Sequence, residues 1–247
     1  MELVDRLQRL GVDYHYKKEI NDLLCSVYND KDGGSDNLYI TSMRFYLLRK
    51  HGYGVSSDVF EKFRDEQGNI SSDDISCLLM LRVKRVEARR YISVYEKKAT
   101  RDATILEFAK LDYNILQAIY CDELKELTVW WKAFQSQTDL SFARDRMVEL
   151  HFWMLGVVYE PYYSYSRIMM TKFIVFASLL DDLYDNYSTT MRSTTFTAAM
   201  QRWDEQTTQQ LPAYLKALFI NILNTTNKIV EELKLTKNKH ADLIKRL

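Results

Sequence analysis

Apolar residues recur at helical spacing along most of the chain. Near the start, Leu3, Leu7 and Leu10 repeat every three or four residues among charged positions, as on one face of an amphipathic helix. The same spacing predicts four long helices further on: 102–120, 122–134, 141–158 and 165–185. The 247 residues include only seven Gly and two Pro, too few for the tight turns of a sheet protein. We therefore predict an all-α fold.

The helical pattern changes near residue 100. Before it, short segments are separated by Gly-containing breaks, and residues 82–90 form a basic run typical of a solvated helix face or a linker. After it, the segments are long, and the first of them carries four apolar residues on one face: Ile105, Phe108, Leu111 and Ile115. We expect two domains, residues 1–100 and residues 101–247.

Charge and composition argue against several protein classes. The 34 basic and 34 acidic residues balance, whereas nucleic-acid-binding proteins usually carry a basic excess. The longest apolar run, Phe173–Leu180, is far shorter than the ~20 residues that span a bilayer. The three cysteines form no CxxC pair, and the N-terminus resembles neither a signal peptide nor a transit peptide. We expect a cytoplasmic protein with no membrane span and no nucleic-acid partner.

One acidic motif has the spacing of a metal site. Asp181, Asp182 and Asp185 follow the apolar run, and on an α-helix Asp181 and Asp185 project from nearly the same side, as do the small residues Ala177 and Ser178. Like charges one turn apart repel, and a helix C-terminus disfavours them further, whereas a divalent cation would offset both effects. Mg²⁺ is usually bound by one or two carboxylates plus substrate phosphates. The alternative is a solvated acidic helix end.

Two arginines and a tryptophan lie upstream of this motif. Arg144 and Arg146 fall in the first turn of a helix predicted from Ser141, where the helix N-terminus and the guanidinium groups would together favour a phosphate. Trp153 lies on the same face as Arg146, roughly 10 Å along the helix axis, where its ring would stabilise a cation. The alternatives are a surface ion pair and a core tryptophan. Combined with the acidic motif, these residues indicate a pocket with a polar mouth for a diphosphate and an apolar floor for a hydrocarbon.

Several longer motifs occur in one collinear order. The second half contains Ala143-Arg144-Asp145-Arg146-Met147-Val148-Glu149, Phe152-Trp153, Glu160-Pro161 and Asp181-Asp182-x-x-Asp185. The first half contains Leu7-Gln8-Arg9-Leu10-Gly11-Val12-x-Tyr14-His15, Phe45-x-Leu47-Leu48-Arg49-x-His51-Gly52-Tyr53 and Arg85-Val86-Glu87-Ala88-Arg89. With these motifs the chain resembles the plant class I terpene synthases, and among them the sesquiterpene synthases, over nearly its whole length.

The resemblance implies a fold, a reaction and a role for each site residue. The fold would be the all-α class I terpenoid synthase fold, incomplete and preceded by a partial helical N-terminal domain. The implied reaction is a lyase reaction in which farnesyl diphosphate, or another prenyl diphosphate, is ionised and cyclised to a sesquiterpene with release of diphosphate. A complete protein of this kind would be a monomer. The implied roles are metal binding (Mg²⁺, with Mn²⁺ as a substitute) by Asp181 and Asp185, support by Asp182, diphosphate binding by Arg144 and Arg146, and carbocation stabilisation by Trp153.

The sequence also departs from the family pattern. The family carries several more helices between Leu81 and Val86, and a second metal motif of the form (Asn/Asp)-Asp-x-x-(Ser/Thr)-x-x-x-Glu, neither of which occurs here. We therefore expect weak diphosphate binding and no efficient cyclisation of farnesyl diphosphate. One alternative is a catalytically inactive fragment or helical scaffold derived from a terpene synthase. Another is a chain-elongating prenyltransferase, which would need a second Asp-rich motif that the sequence lacks.

Overall fold

The fold is helical throughout the part of the chain that the computed structural model describes, namely residues 1–30, 36–65, 67, 83–137, 143–203 and 205–235. None of these residues belongs to a strand, which confirms the all-α prediction. The α-helices are α1 (Glu2–Leu10), α2 (Lys17–Asn29), α3 (Leu38–Lys50), α4 (Lys84–Glu96), α5 (Ala103–Gln137), α6 (Met147–Val157), α7 (Ser164–Asp182), α8 (Thr190–Arg202) and α9 (Ala213–Leu235). Within the described ranges, no helix is both long and apolar enough to cross a membrane.

Shorter helical segments connect these helices. They are the 3₁₀ helices Asp13–Tyr16, Ser57–Phe63, Pro161–Tyr163 and Glu205–Gln210, and the π-helical turn Leu183–Tyr187. The chain forms two compact units, Met1–Gln117 and Ala118–Leu247, and α5 contributes residues to both. The domain boundary that the sequence places near residue 100 stays a prediction.

The core of the first unit contains two apolar clusters. One is built from α1, α4 and the first half of α5 and includes Leu7, Leu10, Tyr91, Tyr95 and Leu106. The other joins α1, α2 and α3 through Val4, Ile20, Leu24, Met43 and Leu47. The amphipathic pattern predicted near the start is confirmed for Leu7 and Leu10, but Leu3 is 51% exposed and Val4 takes the buried position instead.

The basic run at residues 82–90 is not solvated throughout, as the sequence had suggested. From Lys84 onward it forms the start of α4, and Arg85 is buried, with its guanidinium 4.4 Å from the centre of the Tyr113 ring and Nη1 4.0 Å from Oδ2 of Asp112. The interpretation is therefore wrong for Arg85, because an aromatic ring and a carboxylate on α5 replace water around its charge. The sequence also predicts a short helix capped within Ser71–Asp74 and running through Leu81, and this segment lies outside the described residues.

Helix α5 also corrects the predicted pattern. It runs without interruption from Ala103 to Gln137, where two helices were expected. Leu111 and Ile115, assigned to its apolar face, are 62% and 60% exposed. The buried stripe passes instead through Leu106, Ala109, Asp112, Leu116, Tyr120, Glu123, Leu127 and Trp131. Ile105 and Phe108 pack partly buried against the core as predicted, but two carboxylates belong to the buried stripe, so apolar periodicity alone placed Leu111 and Ile115 on it wrongly.

The core of the second unit positions the candidate site. The second half of α5 packs with α6, α7, α8 and α9 around one apolar cluster. Its larger members include Trp131, Phe134, Leu150, Phe176, Leu179, Phe196 and Phe219. α6 and α7 are joined by the short connection 158–163 and form a hairpin, so the start of α6 lies beside the end of α7.

Candidate functional site

The arginine segment precedes α6. This helix begins at Met147, whose backbone N–H donates a hydrogen bond to Oδ1 of Asp145 at 3.1 Å. Arg146 is the N-cap residue, and Arg144 lies in the irregular segment before it. The prediction that both arginines lie in the first helical turn is therefore wrong, because the helix begins only at Met147, where the Asp145 side chain accepts the first backbone N–H. Ser141, the predicted cap, lies outside the described residues.

The acidic motif spans two kinds of helical turn. α7 ends at Asp182, and Leu183–Tyr187 continues as a π turn in which the Ser188 N–H donates to the Leu183 carbonyl at 2.9 Å. Asp181 and Asp185 are both exposed, Asp181 in the last turn of α7 and Asp185 in the π turn that follows it, and their projection from one side stays a prediction. Single π turns occur frequently at functional sites.

Arg146 contacts the end of α7. Its Nη1 donates to Oγ of Ser178 at 3.4 Å, and its Nη2 lies 3.9 Å from Oδ1 of Asp182. Ser178 belongs to the small residues that the sequence placed on the same side as the acidic motif. The hairpin of α6 and α7 therefore brings Arg146 to Asp182, the middle carboxylate of the acidic motif.

The space beside the arginines is small. A cavity of about 10 Å³ lies between Arg144, Arg146 and Ser178, with Trp131 and Leu150 beneath them. This volume is about that of one water molecule. This cavity therefore has no room for a hydrocarbon chain.

Trp153 lies on an outer face of α6. Its side chain is 49% exposed, and Val148, Phe152 and Val157 on the same helix are exposed as well. The alternative that Trp153 is a core residue is therefore wrong, and the buried tryptophan of this unit is Trp131. Trp153 presents an aromatic ring on a largely apolar surface of α6.

A buried ionic network is the feature that the sequence did not indicate. Arg167 on α7 is fully buried and binds Glu123 of α5 with two hydrogen bonds, from Nε to Oε2 at 3.0 Å and from Nη2 to Oε1 at 2.6 Å. Nε2 of His151 on α6 lies 2.9 Å from Oε2 of the same glutamate. The available signal was weak: Glu123 precedes the core residue Leu127 by one turn, and a charged residue at such a position is usually assigned to the surface.

The network also extends to the backbone after α6. Nη1 of Arg167 donates to the carbonyls of Val158 at 3.3 Å and of Glu160 at 2.6 Å. Burial raises the pKa of Glu123, but hydrogen bonds from His151, Arg167 and Ser164 outweigh this effect and lower the pKa to about 2. Glu123 is therefore ionised at neutral pH and neutralises the buried guanidinium.

The donor set at the end of α7 fits a metal that is bound together with a substrate. Among the described residues, no three His, Cys, Asp or Glu side chains form a cluster that would hold a metal ion by themselves. Asp181 and Asp185 offer exposed carboxylates close in sequence to the Asp182–Arg146 pair. Mg²⁺ commonly takes one or two carboxylates and completes its coordination with phosphate oxygens and water.

Comparisons with known proteins cover the whole chain. The model of the terpene synthase family metal binding domain matches residues 132–247, and that of the terpene synthase N-terminal domain matches residues 1–82. (E)-beta-caryophyllene synthase from Zea mays is 47% identical over all of this chain and 54% of its own length, and (E)-beta-farnesene synthase from Zea diploperennis is 40% identical over 94% and 53%. The chain spans about half the length of the curated relatives it matches.

A solved structure shows the same fold. Isoprene synthase from grey poplar leaves, in complex with three Mg²⁺ ions and dimethylallyl-S-thiolodiphosphate, superposes with a TM-score of 0.86 at 30% identity. The superposition covers 96% of this chain and 56% of that one. The class I terpenoid fold expected from the sequence is thereby confirmed.

Proposed function

The chain belongs to the terpene synthase family, and from this we propose that its acidic motif and its two arginines bind the diphosphate of a prenyl diphosphate. Asp181 and Asp185 bind Mg²⁺, for which Mn²⁺ is a substitute, and Asp182 supports them. Arg144 and Arg146 bind the diphosphate oxygens. The reaction served by this site is ionisation and cyclisation of farnesyl diphosphate to a sesquiterpene, with the cytoplasm as its compartment. The similarity to a caryophyllene synthase and a farnesene synthase supports this substrate.

The position of Arg146 carries the proposal. Its guanidinium is held by Ser178 and Asp182 on α7, and Asp182 belongs to the same acidic motif as the exposed residues Asp181 and Asp185. A diphosphate at this edge would meet a bidentate cationic donor from α6 and metal-binding carboxylates from α7. Each group alone has an ordinary surface explanation, but their juxtaposition across the hairpin favours one anionic ligand.

The residues stabilise charge that develops as the leaving group departs. A bound Mg²⁺ would supply Lewis-acid stabilisation of the diphosphate. The N–H groups of Arg144 and Arg146 would donate hydrogen bonds to the diphosphate oxygens and stabilise their growing negative charge. Such electrostatic stabilisation is usually a large part of catalysis. The ring of Trp153 would stabilise positive charge on the hydrocarbon through its π face.

Calorimetry with Mg²⁺ and inorganic pyrophosphate tests the site. Asp181→Asn combined with Asp185→Asn should abolish Mg²⁺-dependent binding, because both proposed metal ligands lose their charge. Arg146→Ala should weaken binding by about tenfold or more, since a charge-assisted hydrogen bond contributes about 1.5 to 3 kcal/mol. Asp122→Asn removes an exposed carboxylate on α5, a helix that carries none of the proposed ligands. It is the matched control and should bind pyrophosphate as the unmodified chain does. Undiminished binding in the double Asn variant would rule the site out.

A catalytically inactive helical scaffold is the second candidate. The cavity of about 10 Å³ beside Arg146 and the exposure of Trp153 favour it, because a carbocation needs an enclosure that excludes water. Gas chromatography of an incubation with Mg²⁺ and farnesyl diphosphate separates the two functions. Pyrophosphate binding without a terpene product supports the scaffold, whereas a cyclic sesquiterpene well above the enzyme-free blank supports the lyase.

A further inference from the structure

The two ends of the α6–α7 hairpin are occupied by different polar contacts. At one end, Arg146 reaches Ser178 and Asp182. At the other, Arg167 bonds the carbonyls of Val158 and Glu160, just beyond the end of α6. The contacts of Arg167 therefore fix the C-terminal end of α6 against α7. The position of α6 in turn determines where the Arg146 guanidinium lies at the other end of the helix.

Hydrophobic burial alone does not fix the rotation of α6 about its own axis, because its sequence is apolar on several sides. Met147, Leu150 and Met154 face the core, yet Val148, Phe152 and Trp153 are exposed on the other sides. A helix that is apolar on every side gains similar hydrophobic free energy in several rotations. A directional contact is needed to select one of them.

His151 makes that directional contact. It is buried on α6, and its Nε2 lies 2.9 Å from Oε2 of Glu123. The lowered pKa of Glu123 keeps this carboxylate ionised, so it only accepts hydrogen bonds and Nε2 of His151 is the donor. Both oxygens of Glu123 are already bound by Arg167, which holds the acceptor in place.

The geometry excludes direct contact between this network and a diphosphate at the proposed site. Arg167 precedes Asp182 by 15 residues, which corresponds to roughly 22 Å along a helix. His151 follows Arg146 by five residues and points into the buried interior beside Glu123. Any effect of His151 on ligand binding must therefore act through the position of α6.

From these contacts we infer that His151 is a positioning residue, which sets the rotation of α6 through Glu123 and thereby holds Arg146 beside Ser178 and Asp182. The inference rests on the proposed function only where it concerns diphosphate. The position of the Arg146 guanidinium is a property of the chain without any ligand and is measurable by itself.

The test compares three variants of the full chain. His151→Leu removes the donor but keeps an apolar side chain, and His151→Gln offers an N–H donor close to the place of Nε2. Phe196→Leu, on α8 and in ring contact with Phe219 on α9, lowers stability without altering any residue of α6 or α7. The measurements are the dissociation constant of inorganic pyrophosphate with Mg²⁺, thermal unfolding, and the Nε–Hε resonance of Arg146 in ¹⁵N-arginine-labelled protein, assigned by its loss in Arg146→Ala.

His151→Leu should weaken pyrophosphate binding about tenfold, since displacements near 1 Å at a binding group have effects of that order or larger. It should also shift the Arg146 resonance. His151→Gln should restore the pyrophosphate affinity and the Arg146 resonance of the unmodified chain. Phe196→Leu should lower the melting temperature and leave the affinity and the resonance unchanged. An unshifted Arg146 resonance in His151→Leu, or an equal shift in Phe196→Leu, would overturn the inference. If the unmodified chain binds no pyrophosphate, the proposed function fails, and the resonance still decides whether His151 positions Arg146.

Discussion

Arg146 and Asp182 face each other across the hairpin of α6 and α7, with Nη2 and Oδ1 3.9 Å apart. The two side chains are 31% and 17% exposed, so water screens much of their attraction and the pair contributes little to folding. Its importance lies in the proposed site, where Asp182 would compete with an anionic ligand for Arg146 and would also add negative charge that favours a cation.

Asp182→Asn should therefore change pyrophosphate affinity in opposite directions with and without metal. Without Mg²⁺, pyrophosphate should bind a few-fold more tightly, because the variant removes the negative charge of Asp182, which repels the anion beside Arg146. With Mg²⁺, binding should weaken, because the metal has lost a supporting charge. Calorimetry in EDTA and in Mg²⁺ checks both, and a change of the same sign in the two buffers would contradict the assigned role of Asp182.

Glu123 should make the stability of the chain depend on acidic pH. Its pKa is lowered from 4.5 to about 2 in the folded state, so the unfolded chain binds the proton more readily. The stabilisation is complete above about pH 5 and is lost as the pH falls toward about 2, with a total of up to about 3 kcal/mol. Urea unfolding at pH 6.5 and pH 3 measures this loss.

Glu123→Gln provides the matched variant for this pH dependence. It leaves Arg167 buried without a counter-charge, so the chain should lose about 3 to 5 kcal/mol at neutral pH and show a flatter acid limb. Glu126→Gln, which removes an exposed carboxylate on the same helix, should leave both properties nearly unchanged. A Glu123→Gln chain as stable as its parent at pH 6.5 would refute the structural role of the network.

Trp153 and Trp131 should respond differently to truncation. Trp131 is buried in the core of the second unit, so Trp131→Ala should cost about 3 to 5 kcal/mol through lost packing and the cavity left behind. Trp153 is half exposed, so Trp153→Ala should cost about 1 kcal/mol or less. Chemical denaturation of both variants measures the difference, and equal losses would place Trp153 in the core after all.

Gly11 should be sensitive to a methyl group. It ends α1 with φ +74°, and a Cβ there would lie 3.0 Å from Cβ of Ala88 and 3.1 Å from Nη1 of Arg85. Gly52 has a similar φ of +84° but open space around it. Both Ala variants carry the left-handed backbone cost of about 1 to 2 kcal/mol, and only Gly11→Ala adds crowding. The melting temperature of Gly11→Ala should therefore be lower than that of Gly52→Ala. The reverse order would contradict the close packing of α1 on α4.

Local sequence determined the helical fold and the place of the candidate site. Helix signals depend on neighbouring residues, so the long helix predicted over 165–185 is found close to its predicted position, as Ser164–Asp182. The motif around Asp181 and the arginines at 144 and 146 could be read in the same way, because their chemistry depends on residue type and spacing.

Only the tertiary structure decided which faces are buried and which charges meet. Arg85 is surrounded by Tyr113 and Asp112, and Glu123 by His151 and Arg167, in pairs separated by 27 to 44 residues. A buried ion is stable only when a partner of opposite charge and the correct hydrogen bonds reach it. The sequence pattern records the polarity of each residue and its neighbours along one helix. It does not record which distant helix supplies the counter-charge, and that contact is what turns a charged residue into a core residue.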